Sequence, residues 1–241
     1  MVHLPVLCYQ NIDPVLHDDL TYKAGNIKNH FRILKENGYE TITCHHLCEN
    51  LNGKRSLPDK PIIITFDNGY AAYCHYLLEP LQENNFNATF FITGGWAWKS
   101  TCKERGFDQL YMNIEQLRYV QQKGFELAMH SYNYTNFSDT LLTEIQSDIA
   151  NNISFFKKFS LAFTNVIAFP QDFNLSRSRR KNDISWLLCT MNITAAFQPG
   201  TKSNVVDRMN PYEINRILVS ETISCNNLLK KIASKGYKKL W

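Results

Sequence analysis

Pro61-Ile-Ile-Ile-Thr-Phe-Asp-Asn-Gly-Tyr70 is the stretch that decides the fold of this chain. Ile62 to Ile64 form an unbroken β-branched run, which is typical of a strand buried on both faces of a parallel sheet. Small polar groups follow, and then Gly69, a residue type that adopts turn conformations closed to others. Folds that alternate strands and helices place their chemistry at the carboxyl ends of the strands. Asp67 and Asn68 are therefore candidate site residues, although the same two residues could simply cap the next helix.

Strands and helices alternate on both sides of this stretch. We predict further strands at residues 4–9, 39–43, 88–93, 125–130, 166–169, 195–197 and 214–219. We predict helices at residues 27–37, 46–51, 71–84, 114–123, 141–159 and 224–234, and another through Ser185 and Leu188. The helix at 71–84 should be interrupted or tilted near Pro80, and Ser138-Asp139 should cap the helix at 141–159. The chain shows no repeat, low-complexity segment or linker, so we expect one α/β domain over residues 1–241.

Composition narrows the classes of function. The chain has 241 residues, of which 44% are hydrophobic and 20% charged, so it can bury one large core. Its 26 basic and 22 acidic residues leave a charge of +4, too weak and scattered to indicate nucleic acid or an anionic membrane as partner. No apolar run reaches the length of a membrane span. The first residues have no signal-peptide pattern, so we expect a cytoplasmic protein, or a periplasmic or secreted one if a leader was removed.

The cysteine pattern favours reduced thiols. Seven cysteines, an odd number, occur at uneven spacings, at positions 8, 44, 48, 74, 102, 189 and 225. A disulfide framework would need paired spacings. Cys44-His-His-x-Cys48 matches no common zinc motif, and we interpret it as packing or solvent-exposed residues of a helix.

Two motifs carry a family resemblance that extends over nearly the whole chain. Thr65-Phe-Asp-Asn-Gly69 resembles the Thr-Phe-Asp-Asp-Gly motif of polysaccharide deacetylases, with asparagine in place of the second aspartate. Gly124-Phe-Glu-Leu-Ala-Met-His-Ser131 resembles their Gly-Tyr-Glu-Ile-Gly-x-His-Ser motif. The chain is thus similar to the NodB homology domain of carbohydrate esterase family four. The resemblance implies a distorted (β/α) barrel of about seven parallel strands.

The resemblance also implies roles for four residues. Asp67 matches the general base that takes a proton from metal-bound water. Asn68, His130 and Tyr134 match the three ligands of a divalent metal, Zn²⁺, Co²⁺ or Ni²⁺, which are usually one aspartate and two histidines. An asparagine oxygen is a neutral donor, and a tyrosine must lose a proton with a reference pKa near 10 before it binds well. We therefore expect metal binding to be weak or absent.

Further residues match the substrate groove of the family. Phe169-Pro-Gln-Asp172 stands where Tyr-Pro-Tyr-Gly is often found, so Pro170 and Gln171 are candidate substrate contacts, with the Gln171 amide facing an oxyanion. Arg216 matches an arginine of the family that could orient Asp67. The alternative interpretation is that Arg216 is a surface arginine on an edge strand.

Aromatic and basic segments have two interpretations each. Trp96 and Trp98 lie in a predicted loop after a strand, where their rings could stack on sugars or pack against the core. The basic run Arg177-Ser-Arg-Arg-Lys181 is either a solvated segment or a contact for an anionic glycan.

Two hypotheses of function follow. The first is an active de-N-acetylase of N-acetylated amino sugars, in which water, Asp67 or a loop residue completes an unusual metal site. The second is a protein that has lost this catalysis and keeps the groove to bind a saccharide or a partner. The chemistry of the substituted ligands favours the second.

Overall fold

A barrel of parallel strands forms the centre of the protein, in a computed structural model that describes residues 1–10, 24–220 and 223–233. The strands are β1 His3–Leu4, β2 Val6–Tyr9, β3 Glu40–Thr41, β4 Pro61–Phe66, β5 Thr89–Ile92, β6 Glu126–Met129, β7 Thr164–Ala168, β8 Ala195–Gly200, β9 Asn204–Val205 and β10 Ile214–Leu218. The helices are α1 Ala24–Glu36, α2 Cys44–Leu51, α3 Ala72–Tyr76, α4 Leu78–Glu83, α5 Gly94–Thr101, α6 Ile114–Gln122, α7 Leu142–Lys158, α8 Lys181–Thr190 and α9 Cys225–Ala233.

Seven strands close into a ring. The order β2-β10-β8-β7-β6-β5-β4 is entirely parallel, and pairing between β2 and β4 closes it. The register shifts between β6 and β7 at Ala128 and Met129, which distorts the ring. β3 pairs with the start of β4, and β1 and β9 form a separate antiparallel pair. These pairings confirm the predicted distorted barrel of about seven strands.

Alternation along β4 explains why five of its six residues are apolar. All six residues of β4 are buried. Ile62, Ile64 and Phe66 belong to the apolar layer beneath the helices, whereas Ile63 belongs to a second cluster with residues of β5 to β8. Since successive side chains of a strand point to opposite faces, that second cluster is the barrel interior. Each fully buried isoleucine side chain contributes about 1.5–3 kcal/mol to stability.

The interruption predicted in the helix at 71–84 is confirmed, but it lies at Leu77 rather than at Pro80. The ring of Pro80 would clash with the carbonyl of Tyr76, so one continuous helix cannot pass through both. Instead a new helix begins at Leu78, and Pro80 falls in its first turn, where a backbone N–H has no partner within the helix.

Two other local predictions are wrong. Trp96 and Trp98 lie in helix α5, not in a loop, because Gly94 and Gly95 start a helix that packs closely on the next loop, with Gly95 N donating to Tyr132 O at 2.9 Å. Ser138 does not cap α7, whose cap position is Leu141 without a side-chain hydrogen bond. Ser138 is held in a preceding turn, where its N–H donates to Asn136 Oδ1 at 2.9 Å.

None of the helices in the described ranges is both long enough and apolar enough to cross a membrane.

Candidate functional site

Four buried side chains meet inside the barrel at the carboxyl ends of the strands. Cys8 lies on β2, Asp67 follows β4, His130 follows β6 and Arg216 lies on β10. Backbone pairing extends beyond two of these strands, since Asp67 N donates to Tyr9 O at 3.2 Å and His130 N to Ile92 O at 3.0 Å. The four side chains line a cavity of about 40 Å³, which has room for about three water molecules.

Arg216 holds Asp67 by both carboxylate oxygens. Its Nη1 donates to Oδ1 at 2.5 Å and its Nη2 to Oδ2 at 2.9 Å. The Cys8 thiol donates to Oδ2 at 3.3 Å, and the guanidinium lies 5.4 Å from the centroid of the Phe91 ring. Arg216 is 5% exposed on a strand between β2 and β8. It is therefore not a surface arginine on an edge strand, and its two-pronged contact fixes the carboxylate of Asp67.

The charges of this pair stay in place at neutral pH. Burial raises the pKa of Asp67, but the Arg216 guanidinium and the hydrogen bond from Cys8 outweigh it and bring the pKa below its ordinary value. Burial raises the pKa of the Cys8 thiol, despite the neighbouring Arg216. Cys8 therefore remains a protonated donor, and Asp67 remains a carboxylate with its oxygens engaged.

His130 is held as a neutral imidazole. Its Nδ1 lies 2.9 Å from Ala168 O. Because a carbonyl only accepts, Nδ1 carries the proton, and Nε2 is left as the acceptor. Burial lowers the pKa of His130, and Arg216 lowers it further, whereas Asp67 opposes them. The ring thus offers one nitrogen lone pair to a ligand.

Tyr134 lies beside His130, four residues further along the chain. The centroids of the two rings are 5.5 Å apart, and the ring of Tyr134 also contacts Trp96, at 4.9 Å between centroids. Gln171 Nε2 donates to Tyr134 O at 2.7 Å. Burial raises the pKa of Tyr134, so the phenol is protonated at neutral pH. A protonated phenol is a poor metal ligand and a good hydrogen-bond donor.

A buried carboxylate on α7 shapes the loop that carries Tyr134. Asp148 accepts from Tyr132 N at 2.8 Å, from Asn133 N at 2.9 Å and from Thr135 Oγ1 at 2.7 Å. Asp148 was missed by the sequence reasoning. The signal available was a charged residue within the apolar stripe of an amphipathic helix, which calls for buried partners.

Five residues in or next to the lining of the cavity, which we call the rim, have a left-handed backbone although they are not glycine. The φ angles are 68° at Asn68, 98° at Ser131, 59° at Tyr134, 52° at Gln171 and 55° at Asp172. This conformation is costly for residues with a side chain, and it persists where surrounding structure enforces it. Strained backbone of this kind concentrates at functional sites, so the rim is a candidate site on grounds independent of the motifs.

The structure separates some of the predicted site residues from the cavity. Asn68, Pro170, Trp96 and Trp98 do not line it, whereas Tyr134 and Gln171 do. Asn68 is 7% exposed, and its Oδ1 is buried without a hydrogen-bond partner among the described residues.

Of the two tryptophans, Trp96 lies next to the cavity and Trp98 does not. Trp96 packs against Tyr134 and so borders the opening. Trp98 lies away from the cavity, and its ring stacks on Phe159 at 5.3 Å between centroids. Lys158 Nζ lies 4.9 Å from the centroid of the Trp98 ring.

Two ionisable lining residues, Cys8 and Asp172, were also missed by the sequence reasoning. Cys8 had only its place near the end of the first strand as a signal. Asp172 follows the Pro170-Gln171 pair and joins the cavity to its neighbours.

Comparison with known proteins agrees with this architecture. The family model described as polysaccharide deacetylase matches residues 54–182. A Bacillus subtilis protein named as a polysaccharide deacetylase, YxkH, is 24% identical over 69% of this chain and 56% of its own length. The poly-β-1,6-N-acetyl-D-glucosamine N-deacetylase of Escherichia coli is 26% identical over 53% of this chain and 20% of its own length. The chain thus spans about half of the first relative and a fifth of the second.

The fold has a close counterpart among solved structures. The Streptococcus pyogenes deacetylase PplD superposes with a TM-score of 0.82 at 16% identity, over 97% of this chain and 99% of that chain. The closed ring of seven parallel strands, with polar side chains gathered at their carboxyl ends, is the architecture of NodB-type α/β barrels. Together with the family model, which covers more than half of the sequence, this shows that the chain belongs to the polysaccharide deacetylase family.

Proposed function

We propose that this chain is a member of the family that has lost metal-dependent hydrolysis and binds N-acetylated amino-sugar glycans at the barrel mouth. The observation that supports the proposal is the set of donors around His130. One imidazole is present, and the two other ligand positions of the family carry Asn68 and Tyr134.

These donors do not suit a tightly bound divalent ion. Zn²⁺, Co²⁺ and Ni²⁺ sites combine several imidazole, carboxylate or thiolate ligands. Among the residues that the structure describes, no three histidine, cysteine, aspartate or glutamate side chains are arranged so that they could hold one metal ion. Asp67 has both oxygens engaged by Arg216, the phenol of Tyr134 is protonated, and Asn68 offers only a neutral amide oxygen. The residues thus do not supply the charged donors that such an ion requires.

The same residues suit a neutral sugar. His130 Nε2 accepts a hydrogen bond, and Tyr134 donates one from a protonated phenol. Trp96 and Tyr134 form an aromatic border of the kind on which sugar rings stack. The cavity of about 40 Å³ admits a small substituent, whereas a ring must lie across its opening. The name of the Escherichia coli relative, an N-deacetylase of poly-β-1,6-N-acetyl-D-glucosamine, suggests the class of sugar.

A second candidate function is de-N-acetylation with an unusual metal site. The observation in its favour is that Asp67, Arg216 and His130 are all buried at one cavity, where Asp67 is paired with Arg216 and His130 is held by Ala168 O. In that case water or a further residue would complete the metal ligands.

Metal analysis together with binding separates the two candidates. Purified protein should carry far less than one Zn²⁺ per chain, release no acetate from a β-1,6-linked N-acetylglucosamine hexamer, and bind that hexamer in calorimetry. The double variant Asn68→Asp/Tyr134→His should recover metal binding, because it returns one anionic oxygen and one imidazole. Stoichiometric metal in the unmodified protein, lost in His130→Ala, would establish the second candidate. Absence of hexamer binding would refute the proposed saccharide site.

A further inference from the structure

A basic cleft adjoins the small cavity on one side of the barrel mouth. Two hollows of about 500 Å³ and 620 Å³ share Asp172, Asn174 and Arg177. The first also shares Pro199 with the small cavity, and the second shares Gln171 with it. A chain of sugar residues that starts at the small cavity can therefore continue over this segment into the cleft.

Unpaired cations line the cleft. Arg177 lines both hollows, Arg179 lines the second and Lys202 lines the first, and all three are exposed. Within the described ranges none of the three forms an ion pair, whereas the nearby Lys181 is bound to Glu213 at 2.6 Å. Asp172, at the junction with the small cavity, is the acidic residue of the lining. Basic side chains thus outnumber acidic ones in the lining of both hollows.

The floor of the first hollow is built from amides. Gln198 is 2% exposed, and its Nε2 donates to Ser176 Oγ at 2.6 Å and to Asn215 Oδ1 at 3.3 Å. Asn174 Nδ2 donates to Pro199 O at 3.0 Å, which leaves its buried Oδ1 without a partner among the described residues. The Gln198 amide is engaged within the protein through its nitrogen and also through its oxygen, which accepts from Ser176 N at 3.2 Å, so it fixes the shape of this floor. The described residues that line this hollow include no aromatic ring on which a nucleic-acid base could stack.

We infer that the cleft binds the continuation of an acidic glycan, with a carboxylate or phosphate substituent held by Arg177 and Lys202 above the amide floor. The inference rests on the proposed saccharide site and names its ligand class. Arginine suits planar carboxylate and phosphate groups because its donors are arranged in a fixed fork.

Calorimetry with a matched pair of probes tests the inference. The probes are a hyaluronan hexasaccharide, which alternates N-acetylglucosamine with glucuronate, and the same hexasaccharide with its carboxylates methyl-esterified. The acid should bind about tenfold more tightly than the ester, as expected for one hydrogen-bonded charge pair. Arg177→Gln should remove that difference, and Lys202→Gln should reduce it. Arg32→Gln, which changes an exposed arginine on α1, is the matched control and should leave it intact.

Competition identifies the acidic group. N-acetylmuramate and N-acetylglucosamine 6-phosphate should displace the hexasaccharide at lower concentrations than N-acetylglucosamine does, and the stronger of the two distinguishes carboxylate from phosphate. If neither exceeds the neutral sugar, the inference is overturned.

Three further results would overturn it. One is equal affinity for the acid and its ester while the neutral β-1,6-linked hexamer still binds, a result that leaves the proposed function standing. Another is tighter binding of a thymidine dodecanucleotide than of the hexasaccharide, which would make the cleft a nucleic-acid site. The last is a failure of every sugar to bind, and this would remove the proposed function as well.

Discussion

Replacing Arg216 by methionine should destabilise the fold far more than the loss of a surface ion pair does. The side chains of Arg216 and Asp67 are 5% and 4% exposed, and two hydrogen bonds join them. In the variant Arg216→Met the carboxylate of Asp67 stays buried and keeps, among the described residues, the Cys8 thiol as its one side-chain donor. Breaking a buried ion pair in this way costs about 3–5 kcal/mol of the free energy of unfolding.

Two other variants serve as references for the loss of stability expected in Arg216→Met. Arg32 and Glu36 form an exposed pair, with side chains 60% and 51% exposed, so Arg32→Met should cost less than about 1 kcal/mol. The double variant Asp67→Asn/Arg216→Met removes both charges and should recover most of the loss, because no uncompensated charge remains.

Urea unfolding followed by tryptophan fluorescence measures these differences, and pH provides a second test. In the unmodified protein the pKa of Asp67 is lowered, so its contribution to stability is present above the unfolded pKa of about 3.9 and is lost as pH falls through the folded pKa. Without Arg216, burial raises the pKa of Asp67, and the carboxyl protonates on acidification. The difference in the free energy of unfolding between the unmodified protein and Arg216→Met should therefore decrease from pH 7 towards pH 4. A loss below about 1 kcal/mol at pH 7, equal to that of Arg32→Met, would refute the buried-pair reasoning.

Two further predictions concern titratable groups elsewhere in the fold. His30 is buried between Tyr9 Oη and the carbonyl of Ile223, and burial lowers its pKa, so stability should fall as pH drops below the unfolded value of about 6.5. Urea unfolding at a series of pH values should show that part of this pH dependence of stability disappears in His30→Gln. An unchanged pH dependence would contradict its attribution to His30. The seven cysteines are free thiols in the structure, and we predict seven reduced thiols by titration of the denatured, non-reduced protein, whereas a lower count would indicate disulfides.

Short-range patterns were sufficient to predict most of the strands and helices. The β-branched run at Ile62 to Ile64 is a buried strand because both faces of a barrel strand are covered. The glycine at position 69 has a φ of 77°, and a Cβ there would come within 3.0 Å of Ile92 Cδ1, so the turn after Asn68 requires it. Signals of this kind lie within a few residues of one another, which is why a single sequence contains them.

The partners inside the cavity depend on contacts that no local pattern contains. Asp67 meets Cys8 across 59 residues and Arg216 across 149, and both contacts exist because β2 and β4 pair and close the ring. Asn68 does not line the cavity, and its left-handed backbone is a conformation that persists where surrounding structure enforces it. The position of Trp96 also depends on tertiary contacts. It lies in α5 because Gly94 and Gly95 allow the start of this helix to approach the next loop closely. Residue types predicted the chemistry that this barrel could perform, but ring closure and register decided which side chains share one cavity, since both are properties of the whole chain.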